Sequence, residues 1–306
     1  MSLKPSTQLN LYGLKTEFNQ FVKLFKKLKL PNKILLSGEK GVGKCTLAYH
    51  LINFILSNNE KFSYDLDNLT INAKNTSYKL IQNNSNMNFH LVDIDNEKKN
   101  VDVSQVRKLI NTLNKSSFNS KPRFILIDNI EYLGTSSSNA LLKILEEPNE
   151  NIYFILINSN KKIYSTISSR CLDFKIQLSH ENISNINRRL FNSSIFDIIN
   201  VDLINYYLTP GKIYNLIKFS KDKDIDLKNT CLNDFLSIII KESYYKEDYA
   251  IKNIVYEYLE FFLIKNISIE YTDVYKYFLK RINDVRKYNL DEESLFIEIN
   301  KKLLNG

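Results

Sequence analysis

Apolar residues follow two regimes along this chain. As far as residue 178, short unbroken apolar runs alternate with stretches in which apolar positions recur every third or fourth residue; beyond it, only the second spacing continues. Phe18, Phe21, Val22, Phe25 and Leu28 predict an amphipathic helix over 15–28, lysine-rich on its outer face and stopped by Pro31. Lys33–Ser37 reads as a short buried strand and Lys44–Leu56 as the next helix. Four more strands are expected at 89–93, 123–128, 152–157 and 171–176, with helices at 101–113, buried through Val103, Val106, Leu109, Ile110 and Leu113, and at 139–145, closed by Pro148. The continuous apolar character of 123–128 and 152–157 suits strands covered on both faces. This alternation predicts an α/β domain with a five-stranded, mainly parallel sheet. Asp128, at the end of the third strand, should lie near the loop after Ser37 if those two strands are neighbours. Between 57 and 87 the chain is polar and asparagine-rich, with core candidates only at Leu66, Leu69, Ile71, Leu80 and Ile81, and reads as an insertion.

After residue 178 helices are expected throughout. Ile183, Ile186 and Leu190 mark a first, and Val201, Leu203, Ile204 and Leu208 a second. Thr209-Pro210-Gly211 reads as a turn before a third, which carries Lys212, Ile213, Leu216 and Ile217. From about 224 a larger helical region follows, with Tyr256, Leu259, Phe262 and Leu263 spaced as helix-packing core. The expected domains are 1–177, 178–222 and 223–306.

Composition narrows the picture. The 306 residues suffice for two or three domains, and 43% hydrophobic with 25% charged residues is ordinary for a globular protein. No eighteen-residue apolar stretch occurs and the N-terminus lacks a secretory segment, so a cytoplasmic protein without membrane partners is expected. Cys45, Cys171 and Cys231 lie too far apart in sequence for a Cys-x-x-Cys zinc or redox pair. A net charge of +8 permits contact with nucleic acid, but the lysines are dispersed as on a solvated surface.

The candidate chemistry sits between the first strand and the second helix. Gly38-Glu39-Lys40-Gly41-Val42-Gly43-Lys44 completes a Gly-x-x-x-x-Gly-Lys phosphate loop, and three of the chain's seven glycines fall within it. The helix that follows points its positive end at the loop. A magnesium-dependent nucleotidase needs a hydroxyl after the lysine; Cys45 offers a soft thiol, and Thr46 comes one residue late.

Phe124-Ile125-Leu126-Ile127-Asp128-Asn129-Ile130-Glu131, Asn139-Ala140-Leu141-Leu142-Lys143-Ile144-Leu145-Glu146-Glu147-Pro148 and Ser169-Arg170-Cys171, with the phosphate loop, resemble the AAA+ subunits of DNA polymerase clamp loaders. The segment Val101-Asp102-Val103-Ser104-Gln105-Val106-Arg107 is similar to the one preceding the Walker B strand in those proteins. The likeness covers roughly residues 10–220. It implies an AAA+ domain, a small helical lid and an all-α C-terminal collar domain. It also implies as partners the motor ATPase subunits and delta, the sliding clamp indirectly, and primed DNA through the assembled loader.

Within that family the chain resembles the delta-prime type, a stator without a requirement for hydrolysis of its own. Cys45-Thr46-Leu47-Ala48 is similar to the delta-prime run, and Asn129 replaces the glutamate that polarises water in active members. The alternative is a gamma/tau-like motor ATPase in which Thr46 and Glu131 compensate. A small-molecule kinase would leave Ser169-Arg170-Cys171 and the helical third without a role. The resemblance implies that Arg170 acts in trans on a neighbouring subunit's ATP; the alternative is a local salt bridge. It places Asn158 and Lys212 at sensor positions, although an asparagine at a strand end is as often a turn cap. For Asp128 and Glu131 the alternative is capping of the next helix. ATP or ADP could be taken by Gly38, Gly41, Gly43, Lys44, Cys45, Thr46, Asp128, Asn158 and Lys212, but no cofactor is required. The zinc that delta-prime chains often hold is not expected, since no cysteine lies between Cys45 and Cys171.

Overall fold

The structure is a computed structural model, and it describes residues 3–94, 103–113, 119–146, 151–204, 208–247, 249–266, 272–288 and 290–304. The expected features at Val101-Asp102 and Glu147-Pro148 lie outside these residues. The chain forms two compact units, 1–182 and 183–306.

In the first unit the strands are β1 (Lys33–Ser37), β2 (Phe89–Val92), β3 (Arg123–Ile127), β4 (Ile152–Asn158) and β5 (Leu172–Lys175). They form one sheet in the order β2-β3-β4-β1-β5, and every pairing is parallel. Side chains alternate across it. Ile34, Leu36, Phe124, Leu126, Ile155 and Ile157 join the core beneath α1 (Lys15–Lys26), α2 (Lys44–Leu56) and α3 (Thr76–Gln82). Leu35, Ile125, Ile127, Phe154 and Leu156 join the opposite core with α4 (Val103–Leu113) and α5 (Thr135–Glu146). A short helix, α6 (Ser165–Ser168), leads into β5.

Two expectations for this unit need correction. The first helix ends at Lys26: Leu28 takes a left-handed φ of 56° and is 93% exposed instead of joining the core. The N–H of Leu28 donates to Phe25 O and that of Lys29 to Leu24 O, which satisfies carbonyls of the last turn. The 57–87 stretch is more ordered than its sequence suggests, because polar side chains organise it. Asn75 caps α3 by accepting from the Tyr78 N–H at 2.8 Å, while the Glu60 carboxylate accepts from the N–H groups of Thr76 and Ser77. Its chain pairs with the N-terminal segment, Ile71 N–H to Leu9 O and Leu11 N–H to Leu69 O. Leu69, Ile71 and Ile81 are buried as expected, whereas Leu80 is exposed.

The second unit consists of helices: α7 (His180–Phe191, which begins in the first unit), α8 (Ile195–Ile198), α9 (Pro210–Asp222), α10 (Leu232–Lys241), α11 (Tyr249–Lys265), α12 (Thr272–Tyr288) and α13 (Glu292–Ile299). Around Val201 the expected helix is reduced to a 3₁₀ turn, Val201–Leu203, capped by the Asn200 side chain. Thr209-Pro210-Gly211 is no separate turn but the start of α9. Thr209 is its N-cap, accepting from the Lys212 N–H, and Pro210 occupies the first turn, where a missing N–H costs nothing. One core unites Ile213, Leu216 and Ile217 of α9 with Phe235, Leu259, Phe278 and Phe296 from the later helices. Tyr256, Leu259 and Leu263 are buried in it, as their spacing predicts.

Candidate functional site

The phosphate loop is shaped by its neighbour strand. At Gly38 the backbone approaches β5 so closely that a Cβ would lie 2.2 Å from the Ile176 carbonyl oxygen. At Gly43, φ is +97° and the residue caps α2, a left-handed conformation in which a side chain is strained. Gly41, also at positive φ, completes the bend.

Lys44, only 4% exposed, folds back over the loop and donates to Gly38 O at 2.8 Å and Glu39 O at 2.7 Å. Burial pulls its pKa down to about 8, against the opposing attraction of Asp128, Glu131 and Glu39. The Cys45 thiol is buried beside the Asp128 carboxylate, and burial with the neighbouring negative charge pushes its pKa well above the usual thiol value. Thr46 follows in the first turn of α2, partly exposed.

Asp128 reaches Cys45 although β1 and β3 are not neighbours, since β4 lies between them. Burial, then the negative charge of Asp93, raises its pKa to about 6, while the neighbouring Cys45 and the bond from the Asn129 N–H at 2.8 Å work the other way. Asp93 is the residue that the sequence reading missed. Val92 and Ile127 are register partners on β2 and β3, so the carboxylates that follow them emerge side by side. The available signal was the repetition of an apolar strand ending in Asp. Asn129 adopts a left-handed φ of 55°, and its side-chain amide donates to Asp93 Oδ1 at 2.8 Å. That side chain is thus committed to the β2 end.

Glu131 lies two residues further on, in a 3₁₀ turn. Its Oε2 accepts a long bond from the Ser159 N–H at 3.4 Å, and its buried Oε1 has no hydrogen-bond partner among the described residues. It is close enough to Lys44 to influence that amine. Asn158, paired with Ser37 at the strand ends, caps the turn after β4: its amide donates to Lys161 O and its carbonyl accepts from the Lys161 N–H. Asn160 donates to Glu39 Oε1 at 3.0 Å and so ties that turn to the phosphate loop.

Two expected site residues have other partners. Arg170 follows α6, donates to Thr166 O at 2.8 Å and pairs with Glu146 at 2.7 Å, with side-chain exposures of 34% and 53%. Lys212, in the first turn of α9, pairs with Glu257 at 2.7 Å within the second unit.

The donors suit a phosphate: backbone N–H groups at the positive end of α2, and Lys44, which would exchange its carbonyl bonds for phosphate oxygens. Cys45 does not suit a magnesium ion, because its thiol is soft and burial keeps it protonated. Among the described residues no cluster of His, Cys, Asp and Glu is placed to hold a metal ion, and no helix is long and apolar enough to cross a membrane.

A family model described as "DNA polymerase III, delta subunit" matches residues 13–180. The chain is 31% identical over 166 residues to DNA polymerase III subunit delta' of Buchnera aphidicola subsp. Schizaphis graminum, covering 54% of this chain and 48% of that one. It is likewise 31% identical over 211 residues to subunit gamma of the same organism, covering 66% and 56%. The matches therefore span about half the length of these relatives. A gamma subunit-related protein of DNA polymerase III from Thermotoga maritima shares the fold, with a TM-score of 0.53 at 17% identity over 92% of this chain and 97% of that one.

Proposed function

The chain belongs to the clamp-loader subunits of DNA polymerase III, a family of AAA+ fold, and on that premise we propose that it is a stator of the delta-prime type. It hydrolyses no ATP itself and offers Arg170 to the ATP of a neighbouring motor subunit. In this reading it assembles in the cytoplasm with motor subunits and delta, and meets the sliding clamp and primed DNA through the assembled loader. Residues 1–177, 178–222 and 223–306 serve as nucleotide-binding-like domain, lid and collar.

One observation supports the reading most. Cys45 brings a buried thiol beside Asp128, and the amide of Asn129 is turned onto Asp93. The hydroxyl and the carboxylate of metal-assisted hydrolysis are thus replaced by a soft thiol and by an amide engaged elsewhere. The loop then keeps the shape and charge to take ATP or ADP without turning it over, and needs no cofactor for structural work. The pair formed by Arg170 and Glu146 is exposed, so a competing phosphate can displace it at small cost.

A second reading has its own support. The buried Oε1 of Glu131, unpartnered among the described residues and near Lys44, is a carboxylate that a gamma/tau-like motor could use as its water-polarising base. Steady-state phosphate release by the isolated chain separates the two. The stator reading expects no difference between wild type and Lys44→Ala. A rate of about 1 s⁻¹ or more that is lost in both Lys44→Ala and Glu131→Gln would establish the motor instead.

A further inference from the structure

The outer face of α1 is not accounted for by the function above. Its Lys15, Lys23 and Lys26, with Lys27 just past its end, all line one groove, and none has a hydrogen bond or ion pair with a described residue. Some cations of the second unit, by contrast, hold a carboxylate, as Lys223, Lys246, Lys252, Lys265 and Arg286 do. The groove is concave and amphipathic. Buried Val22 and half-buried Leu66, both part of the first unit's core, form its apolar floor, and Asp67 adds one carboxylate at the edge.

Two kinds of polyanion could answer four unpaired lysines. A nucleic-acid backbone would engage the charges but has nothing to place on an apolar floor, and no aromatic residue lines the groove for a base to stack on. An acidic peptide carrying an apolar side chain uses every part: carboxylates for the lysines, the side chain for Val22 and Leu66, and a backbone N–H for Asp67. From Lys15 to Lys26 the helix runs about 17 Å, the length of roughly five extended residues. We propose that this groove binds a short acidic segment, with a single apolar anchor, from a partner protein.

The test uses the full chain and fluorescence anisotropy. The probes are a labelled hexapeptide of five aspartates around one phenylalanine, its alanine counterpart, and short single-stranded and duplex oligonucleotides. The phenylalanine peptide should bind most tightly of the four, and more weakly as salt is raised. Replacing its phenylalanine by alanine should cost about tenfold in affinity, and so should the exposed double substitution Lys23→Glu, Lys27→Glu, with the circular dichroism of the chain unchanged. The proposal fails if the peptide does not bind, if neither change affects it, or if either oligonucleotide binds more tightly than the peptide.

Discussion

Asp128 is where the residue chemistry of the site is concentrated, because it lies against the Cys45 thiol and feels the neighbouring Asp93 charge. Its carboxyl holds a proton up to about 6 in the folded chain, against the usual 3.8. Between those values the folded state binds more protons than the unfolded state, so stability falls as pH rises from about 4 to about 6. The loss attributable to this group is on the order of 2 kcal/mol, discounted for its partial exposure. Asp128→Asn should flatten that slope in urea titrations taken across the range; an unchanged slope would mean that the carboxyl is ionised throughout. Gly38 is held by steric crowding. An alanine there meets the Ile176 carbonyl at 2.2 Å, and Gly38→Ala should cost about 2 kcal/mol or more in denaturant unfolding. The glycines, Lys44, Cys45, Asp128 and Glu131 were all legible in the sequence, since a motif fixes their spacing. Asp93 was not, because its place beside Asp128 depends on which strands pair and in what register.

At the scale of elements, apolar runs located all five strands and, α3 excepted, the helices that cover the sheet, usually to within a few residues. Strand order was another matter. The proximity of Asp128 to the loop was expected from adjacency of the first and third strands, yet β4 separates them and contact is made across the strand ends. The 57–87 stretch escaped the pattern because its order comes from Asn75, Glu60 and Asp65 acting on backbone N–H groups, which leaves no apolar period to read. Leu28 deceived the pattern in the opposite sense, having the right spacing but lying beyond the end of the helix. It is exposed and left-handed, so Leu28→Gly loses no burial and relieves the strained φ. A gain of about 0.5–1 kcal/mol is expected from the denaturation midpoint of the variant.

The whole molecule carries two cores of the first unit, one on each face of the sheet, and a single core of the second. That second core runs through α9 into the later helices without a break near residue 222, where the sequence suggested lid gives way to collar. A fragment of residues 183–306 should therefore unfold in a single cooperative transition, monitored by circular dichroism, and lid residues 183–222 alone should be unfolded. Two transitions in the longer fragment would contradict this. Lid and collar, in this account, are functional names for parts that share their stability.

The claim that most needs testing is that the chain's contribution to catalysis lies in Arg170 and is made to another subunit's ATP. The pair with Glu146 is exposed and contributes at most about 1 kcal/mol, so Arg170→Ala should fold and assemble as wild type does. The decisive measurement is steady-state ATP turnover by the reconstituted clamp loader carrying this variant. Turnover at the neighbouring site should fall by about 10³-fold or more, with assembly intact by sedimentation. Turnover equal to wild type in an intact assembly would contradict the account.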